Sequence, residues 1–165
     1  PESRRVVEPA REAARRGQAE NKGNEGIYCG AAIELSDGTI VTGNNSPLLH
    51  AASSLVLNAV KHLAGIPEKI RLLPPFITDS VRNLKTEILK EKSVSLDLEE
   101  TLIALSISAT TNSAAQLAME KLQALRDCEV HMTHMPSPGD EAGLRRLGVN
   151  LTSDPNFATK DLYIA

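Results

Sequence analysis

The sequence predicts an α/β fold, a three-layer α/β/α sandwich on a mixed sheet, and three observations point to it. Short β-rich runs alternate with longer helical patterns, so helices must cover the sheet. The first two runs, IYCGAAIEL and TIVTG, are joined by Ser36-Asp37-Gly38, and Asp-Gly between apolar runs tolerates the positive φ of a hairpin turn. The later strands are separated by helices, which favours parallel pairing with helices on both faces. A hairpin beside parallel strands makes the sheet mixed.

Residues 3–16, SRRVVEPAREAARR, read as one helix or two short ones, with Pro9 at a tolerated first-turn position. They are expected to end a preceding helical region, and the polar, glycine-containing stretch GQAENKGNEG (17–26) to be its linker. The α/β domain is then placed at 27–165. After the hairpin comes NNSPLLHAASSLVLNAVKHLAG. At about 100° per residue, Leu49, Ala52, Val56, Ala59, Val60 and Leu63 share one face of this helix. His50, Ser54, Asn58 and Lys61 lie on the other, and Gly65 with Pro67 stops it.

KIRLL (69–73) is expected as a short strand ended by Pro74-Pro75. Helices follow over 77–91, 97–109 and 113–127, with Asp97 and one of Thr111, Asn112 or Ser113 placed to cap free amides. CEVHMTH is a strand, PSPGDEAGLRRLG a loop and short helix closed by Gly148, VNLTS a last strand, and DPNF the start of a tail.

Composition narrows the function classes. The chain has 165 residues, 41% hydrophobic and 24% charged, which is globular material. Its net charge of −3, without a basic run, gives no footprint for a phosphate backbone. Aromatics are scarce and Trp is absent, so stacking platforms for single strands are missing too. Nucleic acid is not an expected partner. No apolar run approaches the roughly eighteen residues that span a bilayer, so a membrane is not expected either. Cys29 and Cys128 lie in apolar runs and read as buried, reduced thiols, which together with a charged, leaderless N-terminus predicts a cytoplasmic protein. The absence of an initial Met, within a helical pattern, is expected of a C-terminal piece of something longer.

Four histidines are present. His62 sits in the last turn of its helix, where the dipole favours a positive charge. His131 and His134 are three apart on a strand, so they point to opposite faces and cannot grip one metal. His134 lies at the strand end, where α/β sheets commonly present their sites. His50 opens a helix directly after a hairpin, the place where zinc nucleoside deaminases put a metal ligand. Free amides there are expected to disfavour its protonated form. The deaminase chemistry needs a Glu two residues on and a Pro-Cys-x-x-Cys half. Here the run is His50-Ala51-Ala52 and no cysteine pair exists. Neither phosphate-loop pattern occurs, and Asp140 and Glu141, in the first turn of the short helix, would repel an anion there. Asn45, Thr111 and Asn112 read as caps, or alternatively as the polar wall of a pocket.

Three long runs, DGTIVTGNNSPLLHAASSLVLNAVKHLAGIP, SVSLDLEETLIALSISATTNSAAQLAMEKL and GDEAGLRRLGVNLTSDPNFATKDLY, closely resemble the C-terminal part of a bacterial family known as domain-of-unknown-function family 1846. RRVVEPAREAA resembles the end of that family's middle helical region. The resemblance implies a cytidine-deaminase-like topology with extra helices and no established activity. It also implies that the region ahead of this chain carries a Gly-rich nucleotide loop, so that ATP or another nucleotide belongs there, with no cofactor in this chain.

The leading expectation is a deaminase-like C-terminal domain, not an active zinc deaminase, that contributes to a small-molecule site or to a homo-oligomer with the rest of its polypeptide. Asn45, His50, Thr111, Asn112 and His134 are its candidate polar contacts. One alternative is a metal-assisted hydrolase using His50 and His134. Another is a purely structural oligomerisation module, with the small-residue helix 102–118 at the subunit interface.

Overall fold

The computed structural model describes residues 3–158; the end of the expected tail, 159–165, lies outside the described residues. Four strands form one mixed sheet. They are β1 (Gly30–Glu34), β2 (Ile40–Asn44), β3 (Glu129–Met132) and β4 (Asn150–Ser153), in the order β2-β1-β3-β4. β1 runs antiparallel to both β2 and β3, and β3 runs parallel to β4. The hairpin predicted at Asp37-Gly38 is present, with Gly38 at φ +88° and Asp37 Oδ1 accepting from the Thr39 amide at 2.9 Å.

Strand alternation divides the sheet into two faces. Ala31, Ile33, Val130 and Met132 enter the main core, which is shared with helix α2 (Ala51–Ala64). Within α2, Leu55, Val56 and Val60 are essentially sealed from water, each contributing about 1.5–3 kcal/mol by burial. Ala52, Val56, Ala59 and Val60 of the face drawn by the periodicity are buried, but burial extends beyond it to Ala51, Ser53, Leu55 and Leu57, because helices later in the chain cover α2 in addition to the sheet. Ala32 turns the other way, to helix α1 (Val7–Ala19), where Val6 and Ala10 cover it.

α1 therefore supplies a layer of the sandwich, and Arg4 just ahead of it and Arg11 within it hold it to the sheet. Arg4 donates to Thr152 Oγ1 and to Asn150 O (2.8 Å), and Arg11 grips Asp154 through two bonds of 2.9 and 3.0 Å. Under it His131, 2% exposed, places Nδ1 2.7 Å from Thr152 Oγ1. Its Nε2 is 3.1 Å from Asp154 Oδ1 but lacks the alignment of a hydrogen bond.

Beyond α2 lie α3 (Pro75–Asn83), extended by a π-helical turn Leu84–Ile88, then α4 (Leu98–Ser108), α5 (Ser113–Glu120) with a 3-10 turn Leu122–Leu125, and α6 (Pro138–Leu147). α4 packs on α6, α5, α3 and α2, forming an outer shelf.

One expectation is corrected. KIRLL forms no strand: Ile70 N–H closes a turn onto Pro67 O, and the Leu72 carbonyl accepts from Ser108 Oγ at 2.6 Å. Leu72 and Leu73 are buried as a loop plug, because prolines on both sides leave too short a run to pair. The two strands after the hairpin, β3 and β4, pair in parallel as expected, and β3 lies antiparallel to β1 of the hairpin.

Candidate functional site

Three helix starts converge at the end of the sheet where β2 and β3 finish. α2 follows β2 and α6 follows β3, so both begin there by connectivity. α4 is brought in by a short parallel bridge between Leu49 and Leu96. Leu96 N–H donates to Leu48 O, and His50 N–H donates to Leu96 O, both at 2.9 Å. Ser53 Oγ reinforces the bridge by donating to the same Leu96 carbonyl at 3.0 Å. His50 and Asp97, the N-cap residues of α2 and α4, are thereby set close together.

Asp140, in the first turn of α6, joins them. Its side chain is 5% exposed. Oδ2 lies 2.8 Å from His50 Nδ1, and Oδ1 accepts from the Leu98 amide at 2.9 Å. One carboxylate thus orients the imidazole and caps α4. A carboxylate only accepts, so Nδ1 carries the proton of that bond. The other ring nitrogen, Nε2, has no protein partner among the described residues and is not sealed from solvent.

The helices approach closely at glycine. A methyl group at Gly139 would stand 2.2 Å from Asp97 Oδ2, and one at Gly143 would meet Leu98 Cδ2 at 2.8 Å. α6 can bring Asp140 to His50 only because both positions lack a Cβ. α4 itself starts in a capping box: Asp97 Oδ1 accepts from Glu100 N–H (2.8 Å) and Glu100 Oε1 from Asp97 N–H (2.9 Å). Glu100 Oε1 also accepts from Lys85 Nζ at 2.8 Å, and Lys85, 5% exposed on the π-helical turn, donates a second bond to Ser95 O at 2.8 Å.

The electrostatics follow from this clustering. Burial works against charging His50, but the hydrogen bond and charge of Asp140, with Asp97 adding, outweigh it and raise its pKa. This corrects the expectation of a disfavoured imidazolium. The free amides of α2 count for less than a buried carboxylate at 2.8 Å. Burial raises the pKa of Asp97, and the charges of Glu100 and Asp140 add to it. Cys29 is pushed up to about 12, by burial first and then by Asp140, so it stays a neutral thiol and not a nucleophile.

Of the five predicted contacts, three sit at this end of the sheet. His50 is central. Asn45 Oδ1 accepts from Cys29 N–H at 2.9 Å and its Nδ2 donates to Ile27 O at 3.0 Å, so its amide is committed to the backbone. His134 pairs with Thr133 Oγ1 at 2.8 Å, and burial lowers its pKa. The remaining two lie elsewhere. Asn112 caps α5, its Oδ1 accepting from Ala114 N–H and Ala115 N–H, and Thr111 is exposed beside it. Both belong to the far end of α4, about 16 Å from Asp97 for a helix of eleven residues. Among the described residues no three His, Cys, Asp or Glu side chains come together to hold a metal ion.

Residues 2–163 match the family model described as the C-terminal part of the domain of unknown function DUF1846. The chain belongs to this family. Two family relatives carry the name "UPF0371 protein". One, from Clostridium botulinum (strain Alaska E43 / Type E3), is 47% identical over 160 residues, covering 97% of this chain and 32% of the relative. The other, from Clostridium tetani (strain Massachusetts / E88), is 44% identical over 162 residues, covering 98% of this chain and 32% of the relative. The chain thus spans about a third of the length of the curated relatives it matches.

Proposed function

We propose that this domain contributes an aspartate-oriented histidine to a small-molecule site completed by other parts of a larger polypeptide. The observation that carries the reading is the Asp140 carboxylate. It is buried, it fixes the His50 ring through Nδ1, and it leaves Nε2 as the free polar atom. Protonated, that nitrogen donates to a ligand oxygen; deprotonated, it is a positioned base. The nucleotide that the family resemblance implies for the preceding region is the ligand class we propose for the completed site.

Support for a cytidine-deaminase-like topology comes from the β1–β2 hairpin followed by α2 with a histidine at its start. The chemistry does not follow the topology, since Ala51 and Ala52 occupy the run after His50 and no cysteine pair is present. The metal-assisted hydrolase built on His50 and His134 gains no support, because among the described residues no three His, Cys, Asp or Glu side chains come together to hold a metal ion.

The test is thermal stabilisation of the full-length protein by ATP, ADP and AMP, compared between wild type and His50→Gln. A nucleotide whose stabilising shift disappears in His50→Gln supports the proposal. Equal shifts in both proteins, or no shift with any of the three, overturn it.

A further inference from the structure

α3 and its π-helical extension carry side chains that nothing else in the described chain covers. Phe76 and Ile88 are 70% and 72% exposed, unusual for large apolar groups. On the same side of α3 a groove of about 340 Å³ is lined by Asp79, Arg82, Asn83, Thr86 and Val94; it shares no residue with the His50 cluster. Arg82 Nε is closed off from solvent yet has no hydrogen-bond partner. Among the described residues neither the Asp79 carboxylate nor the Arg82 guanidinium makes an ion pair or side-chain hydrogen bond. The two stand one helical turn apart, close enough to pair with each other, and do not. The terminal nitrogens of Arg82 make no bond with the described residues and are not sealed off, so they, rather than Nε, are open to an outside carboxylate.

We propose that this face is a two-fold interface between two copies of the chain, with α3 packed antiparallel on α3. Asp79 of each copy pairs with Arg82 of the other, and Phe76 of each enters the other's groove. The charge pattern selects a second copy as the occupant. An unpaired acid and an unpaired base one turn apart on one helix complement their own image under a two-fold rotation, which satisfies both charges twice.

The register then follows without further choice. In antiparallel two-fold packing, a step back along one helix is a step forward along its mate. Once Asp79 faces Arg82 of the second copy, Phe76 falls opposite position 85, between Asn83 and Thr86 on the groove wall. The most exposed aromatic ring of the described chain thus meets the groove, while the guanidinium beside it gains a carboxylate. Ile103 and Ile107 of α4, which packs on α3, are likewise 61% and 50% exposed. A ring seated in a groove beside a desolvated arginine pair is the composition of an interface hot spot.

The experiment is the molar mass of the full-length protein in solution, by light scattering and sedimentation. Wild type is expected to be a dimer or a larger even-numbered assembly. Asp79→Arg alone and Arg82→Asp alone each set like charges against each other twice, so each raises the dissociation constant about a hundredfold. An equimolar mixture of the two variants makes every contact opposite in sign again and restores assembly, as does the double variant Asp79→Arg/Arg82→Asp. Asp79 is exposed and Arg82 half-buried, and circular dichroism establishes that each variant is folded. A monomeric wild type, unchanged mass in both single variants, or loss in both without recovery in the mixture each overturns the proposal. A Phe76→Ser variant that lowers the melting temperature at unchanged mass also overturns it, by showing that another region of the same polypeptide covers this face.

Discussion

Replacing Asp140 by Asn tests the site most directly, because it removes a charge while keeping the shape. The amide oxygen still accepts from Leu98 N–H, a bond of 2.9 Å in the wild type, so the cap on α4 survives. What is lost is the ionic half of the 2.8 Å contact with His50. A hydrogen bond between charged groups is worth about 1.5–3 kcal/mol, so the variant should be about 2 kcal/mol less stable where His50 is protonated. The wild-type ring has a folded pKa raised above its unfolded value of about 6.5. Its stabilisation is therefore full below that unfolded value and is lost as pH rises through the folded one. The deficit of Asp140→Asn should be about 2 kcal/mol at pH 5.5 and under about 1 kcal/mol at pH 9, the scale of a neutral hydrogen bond. Burial of His131 and His134 lowers their pKa values, which weakens both proteins as pH falls, and this cancels in the difference. Urea unfolding at the two pH values gives the deficit, and nuclear magnetic resonance of the His50 ring gives its titration. With the carboxylate gone, burial is the largest influence left, and the ring should titrate below its ordinary value. An equal deficit at both pH values, or a His50 titration unchanged by the substitution, would refute the pairing.

Gly139→Ala places a methyl 2.2 Å from the Asp97 carboxylate, so α6 must shift; a loss of about 1–3 kcal/mol is expected by urea unfolding, together with a lowered His50 titration as Asp140 is drawn away. Lys85→Met leaves Glu100 without its buried ammonium partner and should cost about 3 kcal/mol in the same assay. Asn112→Ala should cost about 1 kcal/mol through loss of the α5 cap. Thr111→Ala should change stability by less than about 0.5 kcal/mol. Neither of these last two should move the His50 titration, because both residues lie at the other end of α4.

The elements whose information is local were legible in the sequence. The Asp37-Gly38 turn and the caps Asp97 and Asn112 are fixed by neighbours within four residues, and the structure has each of them; the predicted face of α2 is only part of what that helix buries. KIRLL misled because an apolar run between prolines satisfies the composition of a strand, whereas strand formation needs an edge to pair with. The edge beside β1 is taken by β3, and Leu72 gives its carbonyl to Ser108 instead. The arginines in and just ahead of α1 pose the converse problem. The sequence has five Arg in the fourteen residues 3–16, and only the fold shows Arg4 and Arg11 turned onto β4 and the segment after it.

The site failed to appear for the same physical reason. The sequence marks His50 by its place after a hairpin, but its partner lies ninety residues away, and no periodicity records such a pairing. Asp140 carries two opposing signals. By local chemistry an acid in the first turn of a helix offsets that helix's own dipole, which is how the sequence presents it. By geometry, the same carboxylate leans away from α6 and serves two other helices, α2 through His50 and α4 through Leu98. The one sequence trace of this arrangement is the spacing of Gly139 and Gly143, one helical turn apart in a ten-residue helix. Glycine lowers helix stability, so two of them on one face of so short a helix need a reason. Here the reason is the approach of α6 to Asp97 and Leu98. A glycine pair flanking an acid in a helix's first turn is thus a readable sign that the acid serves a neighbouring element.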